Sequence, residues 1–168
     1  MMKPLFTAVA AGAILALSAC TATRHEPVKD NVQSTLQAVT VTDQELRPIA
    51  TDYVTGVIAG LEKGDYQLFI RNYADEYSKT MNAAKFAPMA KSFQERNGKL
   101  EKLEYLGILN QGIFKVVLWK AQFARTKAFE AELKRNGQDP AKHPVPEMLV
   151  RLMLGNVNGQ WKIFAILM

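Results

Sequence analysis

The hydrophobic positions between residues 42 and 63 recur at intervals of three and four, the spacing of one face of an α-helix. They are Leu46, Ile49, Ala50, Tyr53, Val54, Val57, Ile58 and Leu61. Just before them, Thr42-Asp43-Gln44-Glu45 has the form of a capping box, in which the Thr and Glu side chains satisfy free backbone amides at a helix start. Gly64 is typical of a helix end. The pattern therefore predicts a long first helix over residues 43–63.

Two glycines inside this helix, Gly56 and Gly60, have the spacing of a membrane helix-pairing motif. Charged residues on the same segment argue against a membrane helix. We expect the glycines instead to let the helix approach a sheet closely.

Two shorter helices are predicted after the first. One, over residues 65–73, can begin at Asp65 and has its apolar side chains at Leu68, Phe69 and Tyr73. The other, over residues 83–96, places four apolar side chains on one face: Phe86, Met89, Ala90 and Phe93. Asn97-Gly98 follows it as a stop signal.

Beyond residue 98 the pattern changes from helical to extended. A first strand begins at residues 103–108 and ends in a turn at 110–112. Residues 113–123 are rich in β-branched and aromatic side chains. Two further apolar runs, 148–157 and 160–168, are joined by Asn158-Gly159, a strong hairpin signal because a type I′ turn needs positive φ at both central residues. Helices followed by antiparallel strands predict an α+β fold with the N-terminal helices packed on one face of a curved sheet.

Residues 126–146 interrupt this run of strands. They combine a short amphipathic helix ending near Arg135, a glycine at 137 and the proline-bearing loop DPAKHPVP. The segment is longer than an ordinary hairpin loop. We expect an insertion that lies over one end of the sheet and offers a contact surface.

The first 20 residues have a different character. Lys3 precedes an apolar stretch of thirteen residues, 5–17, which as a helix would rise only about 20 Å against the roughly 30 Å of a bilayer core. The stretch ends in Leu17-Ser18-Ala19-Cys20, which resembles the bacterial lipobox. The resemblance implies that residues 1–19 are a signal peptide and that Cys20 is lipidated after cleavage. The alternatives are an ordinary secretory signal and an uncleaved anchor.

A lipidated Cys20 places the protein in the bacterial cell envelope, attached to a membrane. Thr21 follows rather than Asp, which by resemblance to enterobacterial sorting favours the outer membrane, facing the periplasm, over the inner membrane or the cell surface. Residues 20–41 have no sustained hydrophobic period and are interpreted as the lipidated cysteine and a flexible tether. The domain proper is predicted to span residues 42–168.

Composition and charge exclude several classes of function. The chain carries 21 basic and 16 acidic side chains, so removing Lys3 with the signal leaves 20 against 16, a net charge of +4. The excess is mild and no basic run with interleaved aromatics appears, so we expect no nucleic-acid partner. Cys20 is the one cysteine in the sequence, which leaves the domain without a disulfide, a thiolate metal site or a cysteine nucleophile. We expect no metal and no cofactor.

Residues 42–168 resemble the nuclear transport factor two-like superfamily, also described as cystatin-like. The resemblance lies in the long helix 43–63, the join Glu62-Lys63-Gly64-Asp65-Tyr66 and the last strand Gly159-Gln160-Trp161-Lys162-Ile163. It implies a cone, in which the first helix packs across a curved sheet. Some members, such as ketosteroid isomerase, are enzymes with an aspartate in the cavity, and many secreted members only bind a ligand. Members often form dimers through the open sheet face, which here would cover Trp161 or Phe164.

The candidate site residues are Tyr53, Trp119 and Arg151. Arg151 lies between Val150 and Leu152 in an otherwise apolar run and can hold a ligand carboxylate or phosphate; alternatively it faces solvent from an alternating strand. The two aromatics can line a pocket with their polar edges inward, or belong to the core. The apolar strands predicted at 113–123, 148–157 and 160–168 contain no carboxylate to act as a buried base.

Three hypotheses of function follow. The first is a membrane-anchored, non-catalytic binding module for a small apolar or anionic ligand, and it is the one we expect. The second is a protein-interaction subunit of an envelope complex, with the cone filled and an apolar patch exposed on the open sheet face. The third is an isomerase- or hydrolase-type enzyme, which needs a carboxylate of raised pKa in the pocket.

Overall fold

The computed structural model describes residues 35–145 and 147–168. The predicted signal peptide and Cys20, the predicted lipidation site, lie outside these residues. Five helices are present in the described part: α1 (Asp43–Lys63), α2 (Tyr66–Ile70), α3 (Asp75–Thr80), α4 (Ala83–Arg96) and α5 (Lys127–Arg135). The described strands are β1 (Leu36–Gln37), β2 (Leu100–Gln111), β3 (Phe114–Phe123), β4 (Glu147–Val157) and β5 (Gln160–Leu167).

The strands form one antiparallel sheet in which β2, β3, β4 and β5 are neighbours in chain order. β3 pairs with β4 up to Phe114 opposite Gly155, and β1 pairs with the next two residues of β4. β5 pairs with the other edge of β4 as far as Val157. β1 therefore lies on the same edge of β4 as β3, directly beyond the end of β3. Strand β1 falls within the segment predicted as a tether, so the ordered domain begins before Thr42.

The outer edge of β5 is covered by the segment between α2 and α3. The amide of Ala74 donates to the carbonyl of Ile163 at 2.9 Å, and the amide of Ile163 donates to the carbonyl of Asn72 at 2.8 Å. This pairing explains a difference from the predicted helix 65–73. α2 ends at Ile70 and a separate α3 begins at Asp75 because the residues between them are extended along β5.

The helices lie on one side of the sheet, and the core is between the two layers. On β3 the side chains facing the helices are Val117, Trp119, Ala121 and Phe123, and on β4 they are Val150, Leu152 and Leu154; none is more than 1% exposed. They meet the apolar stripe of α1. The α+β class, with helices packed on one face of a curved antiparallel sheet, is therefore confirmed.

Hydrogen bonds hold both ends of α1 against β2. The phenol of Tyr105 donates to the carboxylate of Asp43 at 2.7 Å, and the amide of Leu100 donates to the carboxylate of Glu62 at 2.6 Å. The first and last turns of the long helix are thus attached to the same strand.

Most of the helix caps and turns predicted from the sequence are confirmed. Thr42 and Glu45 form both halves of the capping box, and the Asp65 side chain accepts from the amide of Leu68. Gly64 ends α1 with a φ of 66°. Asn158 and Gly159 have φ of 52° and 84°, as a type I′ hairpin requires.

Gly98 has a different reason to be glycine from the one predicted. The residue after α4, Asn97, is extended with a φ of −113°, so no left-handed glycine ends the helix. A Cβ on Gly98 would lie 2.3 Å from the carbonyl oxygen of Ala124. The glycine therefore permits two backbone segments to pass each other.

The predicted insertion contains α5 and a 3₁₀ turn at Pro140–Lys142. Leu133 of α5 is 7% exposed, the helix packs beside α4, and the guanidinium of Arg125 donates to the carbonyl of His143. The segment follows the end of β3 and precedes the start of β4, so it lies at that end of the sheet. Within the described ranges, none of the helices has both the length and the hydropathy needed to span a bilayer.

Candidate functional site

The structure places Trp119 in the core. It is 1% exposed, and the ring of Tyr105 packs edge-on against it at 6.3 Å between centroids. Its indole is therefore a packing group under α1 rather than a wall of a pocket.

Tyr53 lies at a different place, half-buried on α1. Its hydroxyl donates to the carbonyl of Trp161 at 3.0 Å, and its ring borders an open groove between α1 and the β4–β5 turn. Burial raises the pKa of the Tyr53 phenol, and the negative charge of Asp52 adds to the rise. The side chain links the helix to the last hairpin.

Arg151 lies on the opposite face of the sheet from Trp119. It is exposed, and its cross-strand neighbours are Leu118 and Leu167. Trp119 is paired with Val150, and successive residues of a strand point to opposite faces. Tyr53, Trp119 and Arg151 therefore do not line one cavity, and Arg151 has the solvent-facing position that was the alternative interpretation.

An apolar cleft of about 420 Å³ lies elsewhere, between the helices and the end of the sheet where β4 begins and β5 ends. We call it the cleft. Its helical wall is formed by Leu61, Phe69, Tyr77, Met89 and Phe93. Its sheet wall is formed by Met148, Ile166 and Met168.

The register of the sheet explains why this wall is apolar. Met148 is opposite Ala121, and Ile166 is opposite Leu152, so both residues of the cleft lie on the face that carries the core. On α4, Phe86 and Ala90 are buried in the core, whereas Met89 is only half-buried at the cleft. The cleft is thus an incompletely filled end of the hydrophobic core.

The polar residues at the cleft are Ser92, Arg96 and Asn97. Arg96 lies in the last turn of α4 and is exposed. Its guanidinium forms no ion pair or hydrogen bond with another described residue. The adjacent acid, Glu95, pairs instead with Lys91 at 4.0 Å. The cleft therefore has one positively charged side chain, without an ion-pair partner among the described residues, beside an apolar wall.

A stacked pair of tyrosines backs the helical wall. The rings of Tyr73 and Tyr77 lie 4.3 Å apart at 19°, and Tyr73 also contacts Phe69 at 5.2 Å. Tyr73 is 2% exposed, and its hydroxyl has no hydrogen-bond partner among the described residues. Burial raises the pKa of both phenols, and the Tyr77 phenol adds to the rise at Tyr73. Both are neutral at physiological pH.

The cleft contains few charged side chains. Among the described residues that line it, Arg96 is the one charged side chain. Across residues 35–145 and 147–168, no three His, Cys, Asp or Glu side chains are grouped so that they could hold a metal ion.

The face of the sheet that points away from the helices, here called the outer face, exposes large apolar side chains. Leu109, Leu149 and Leu167 are 50%, 53% and 54% exposed. Beside them, Lys120 lies between Glu104 and Glu147 at 3.4 and 3.7 Å. The sequence left open whether Trp161 or Phe164 lies on this face. Phe164 lies there, packed over Gly155, while Trp161 packs against the core.

Comparison with known proteins finds no matching family model and no matching curated protein. Solved structures that resemble the chain include the following two. An NTF-2-like protein of unknown function from Shewanella oneidensis MR-1 aligns with 71% of this chain and 95% of its own length, at 14% identity and a TM-score of 0.44. A SEC-C motif containing protein from Rhodopseudomonas palustris aligns with 73% and 91%, at 12% identity and a TM-score of 0.42. At these identities and TM-scores neither neighbour assigns the chain to a family or a function.

The sequence contained one signal for the cleft that residue-by-residue reasoning missed. Met89 and Phe93 were assigned to the apolar face of a helix, and Arg96 follows three residues after Phe93, so the cation continues the same face. An arginine at the end of an apolar stripe is a candidate binding group. The rest of the wall comes from residues far apart in the chain, which no local pattern connects.

Proposed function

We propose that the protein is a lipid-anchored lipoprotein of the bacterial envelope whose domain binds a small apolar ligand in the cleft, without catalysis. The observation that carries the binding proposal is the cleft itself, an unfilled apolar end of the core of about 420 Å³. This volume is within the roughly 300–1,000 Å³ of ordinary small-molecule sites. The attachment to the outer membrane, facing the periplasm, rests on the lipobox resemblance at Cys20.

Burial of hydrocarbon supplies the affinity in this proposal. Each methylene transferred from water into an apolar site contributes about 0.8 kcal/mol. Met89, Met148 and Met168 line the cleft, and unbranched thioether side chains adapt to ligands of irregular shape. The absence of an Asp or Glu side chain among the described lining residues favours binding over the general acid–base chemistry of the enzyme alternative.

Filling the cleft tests the binding proposal. Ser92 is half-buried at the cleft, and Ala87 is an exposed small residue on the same helix. Ser92→Trp should abolish the fluorescence enhancement of the neutral apolar probe N-phenyl-1-naphthylamine, and the matched control Ala87→Trp should retain it. Equal binding of the probe by both variants contradicts a site in the cleft.

The anchor has a separate test. Cys20→Ser should stop incorporation of labelled palmitate and release the protein from the membrane fraction. Unchanged incorporation in the variant rules out Cys20 as the acylated residue.

A second candidate function, association through the outer face, is favoured by the exposed leucines. We propose a second copy of the chain as the partner. Leu109, Leu149 and Leu167 are each at least half exposed, and the neighbouring row Glu104, Lys120 and Glu147 alternates in sign. A two-fold interface brings the same patch of each copy together, and a row of alternating charge can then pair with itself. An envelope protein of another kind would be the alternative occupant.

A further inference from the structure

The cation at the cleft and the apolar wall belong to one face of one helix. Met89, Phe93 and Arg96 follow each other at intervals of four and three residues on α4, which puts them in one row along the helix. Met89 and Phe93 line the cleft, and Arg96 borders it. A ligand that lies along this row meets hydrocarbon first and a guanidinium at its end.

Arg96 is available to such a ligand. It is exposed, and no described acid is within ion-pair distance of it. By contrast, Lys120 on the outer face lies between two carboxylates. A guanidinium presents a planar fork of N–H donors that matches a carboxylate or a phosphate. Charge complementarity therefore points to an anionic group at this end of the ligand.

The distance along α4 from Met89 to Arg96 limits the length of the apolar part of the ligand. Arg96 lies seven positions after Met89, which is about 10 Å along an α-helix and corresponds to an extended hydrocarbon chain of roughly eight to ten carbons. The methionine side chains of the wall can adjust to a flexible chain. The shape and the chemistry together describe a short-tailed amphiphile.

We infer that the cleft takes a single-chain anionic amphiphile, with its hydrocarbon chain along Met89 and Phe93 and its carboxylate or phosphate head on Arg96. This inference rests on the proposed function, since it names the class of ligand for the same cleft. No bond is made or broken, and the head remains ionised when bound.

The test is isothermal titration calorimetry on the mature chain carrying Cys20→Ser, with ligands of equal chain length and different heads. Decanoate and decyl phosphate should bind about three- to tenfold more tightly than decanol, the range expected for a partly exposed ion pair. Decyltrimethylammonium should bind more weakly than decanol. Between hexanoate and decanoate, each added methylene should tighten binding about fourfold.

Variants of Arg96 separate the head from the tail. Arg96→Gln should remove the preference for decanoate over decanol and leave the affinity for decanol unchanged, and Arg96→Lys should restore part of the preference. Arg135→Gln, which removes an exposed cation from the last turn of α5, is the matched control and should change neither affinity. A preference for decyl phosphate would identify a phosphate head, and a preference for decanoate a free fatty acid; either supports an anionic head.

Two outcomes would overturn the inference. The first leaves the proposed binding function intact, and the second overturns it as well. If decanol binds as tightly as decanoate to the unsubstituted protein, or if Arg96→Gln weakens both equally, the anionic head is wrong while the apolar cleft stands. If neither decanoate, decanol nor the neutral probe binds, the proposed function fails together with this inference.

Discussion

Gly60 of α1 lies directly against the backbone of Phe69 in α2. A Cβ on Gly60 would come within 2.7 Å of the amide nitrogen of Phe69 and 2.8 Å of its Cα. The close approach expected for this glycine is therefore to a helix and not to the sheet. Because Phe69 is part of the cleft wall, the glycine also determines how near that wall lies to α1.

Replacement of this glycine should destabilise the domain. Gly60→Ala forces two backbones apart, and overpacking of this kind typically costs about 1–3 kcal/mol of unfolding free energy. Gly56→Ala is the matched control because its Cβ would lie 3.5 Å from the Arg71 side chain, an ordinary contact. Since alanine favours a helix over glycine by about 0.5–1 kcal/mol, the control should be neutral or stabilising in urea denaturation. Equal losses in both variants would show that the close approach does not matter.

The buried hydroxyl of Tyr73 should be dispensable for stability. It has no hydrogen-bond partner among the described residues, and an unsatisfied buried hydroxyl costs about 1–3 kcal/mol. Tyr73→Phe should therefore leave the melting temperature unchanged or raise it. Tyr66 is the matched control because its hydroxyl donates to the carbonyl of Met81 at 2.7 Å, so Tyr66→Phe should lower the unfolding free energy by about 1 kcal/mol. A lower melting temperature for Tyr73→Phe would contradict the assignment of an unsatisfied hydroxyl.

Stability should fall in alkali partly through Tyr105. Burial, together with the hydrogen bond to Asp43 and the charge of that carboxylate, raises the pKa of Tyr105 from 10.0 to about 12. Between these two values the unfolded chain gives up the phenolic proton before the folded protein does. The contribution of Tyr105 to the free energy of unfolding is therefore complete below pH 10 and is lost as pH rises towards about 12.

Two variants check this titration. Tyr105→Phe should make the unfolding free energy less steeply dependent on pH between about 10 and 12. Asp43→Asn should move the ionisation of Tyr105, followed by ultraviolet absorbance, to lower pH because the hydrogen bond to a charged partner is lost. An unshifted phenol titration in Asp43→Asn would contradict the assigned cause.

A charge on the outer face should break the proposed dimer. Leu149 is 53% exposed, so Leu149→Glu should leave the folding stability within about 0.5 kcal/mol of the unsubstituted value. Analytical ultracentrifugation should then show a dimer for the unsubstituted chain and a monomer for the variant. Val145→Glu, at an exposed apolar residue of the insertion, should remain dimeric. If the unsubstituted protein is monomeric at high micromolar concentration, the proposal that a second copy of the chain binds the outer face is wrong.

What the sequence by itself determined was local. The bounds of α1 and α4, the capping box at Thr42 and the hairpin at Asn158-Gly159 were predicted because each depends on backbone hydrogen bonds and torsion preferences within a few residues. Strand alternation likewise predicted that Val117, Trp119, Ala121 and Phe123 share one side, because successive side chains point to opposite faces.

Only the tertiary structure decided which residues form a site. Leu61, Phe93 and Met148 are distant in sequence and meet at the cleft because the ends of α1, α4 and β4 converge there. The pairing of Asn72–Ala74 with β5 divided a helix that the local pattern had predicted as one. Arg151 and Trp119 lie on opposite faces of the sheet because the register pairs Trp119 with Val150, the residue before Arg151. Contacts of this kind arise from pairing and packing over the whole chain, and no short window of sequence contains them.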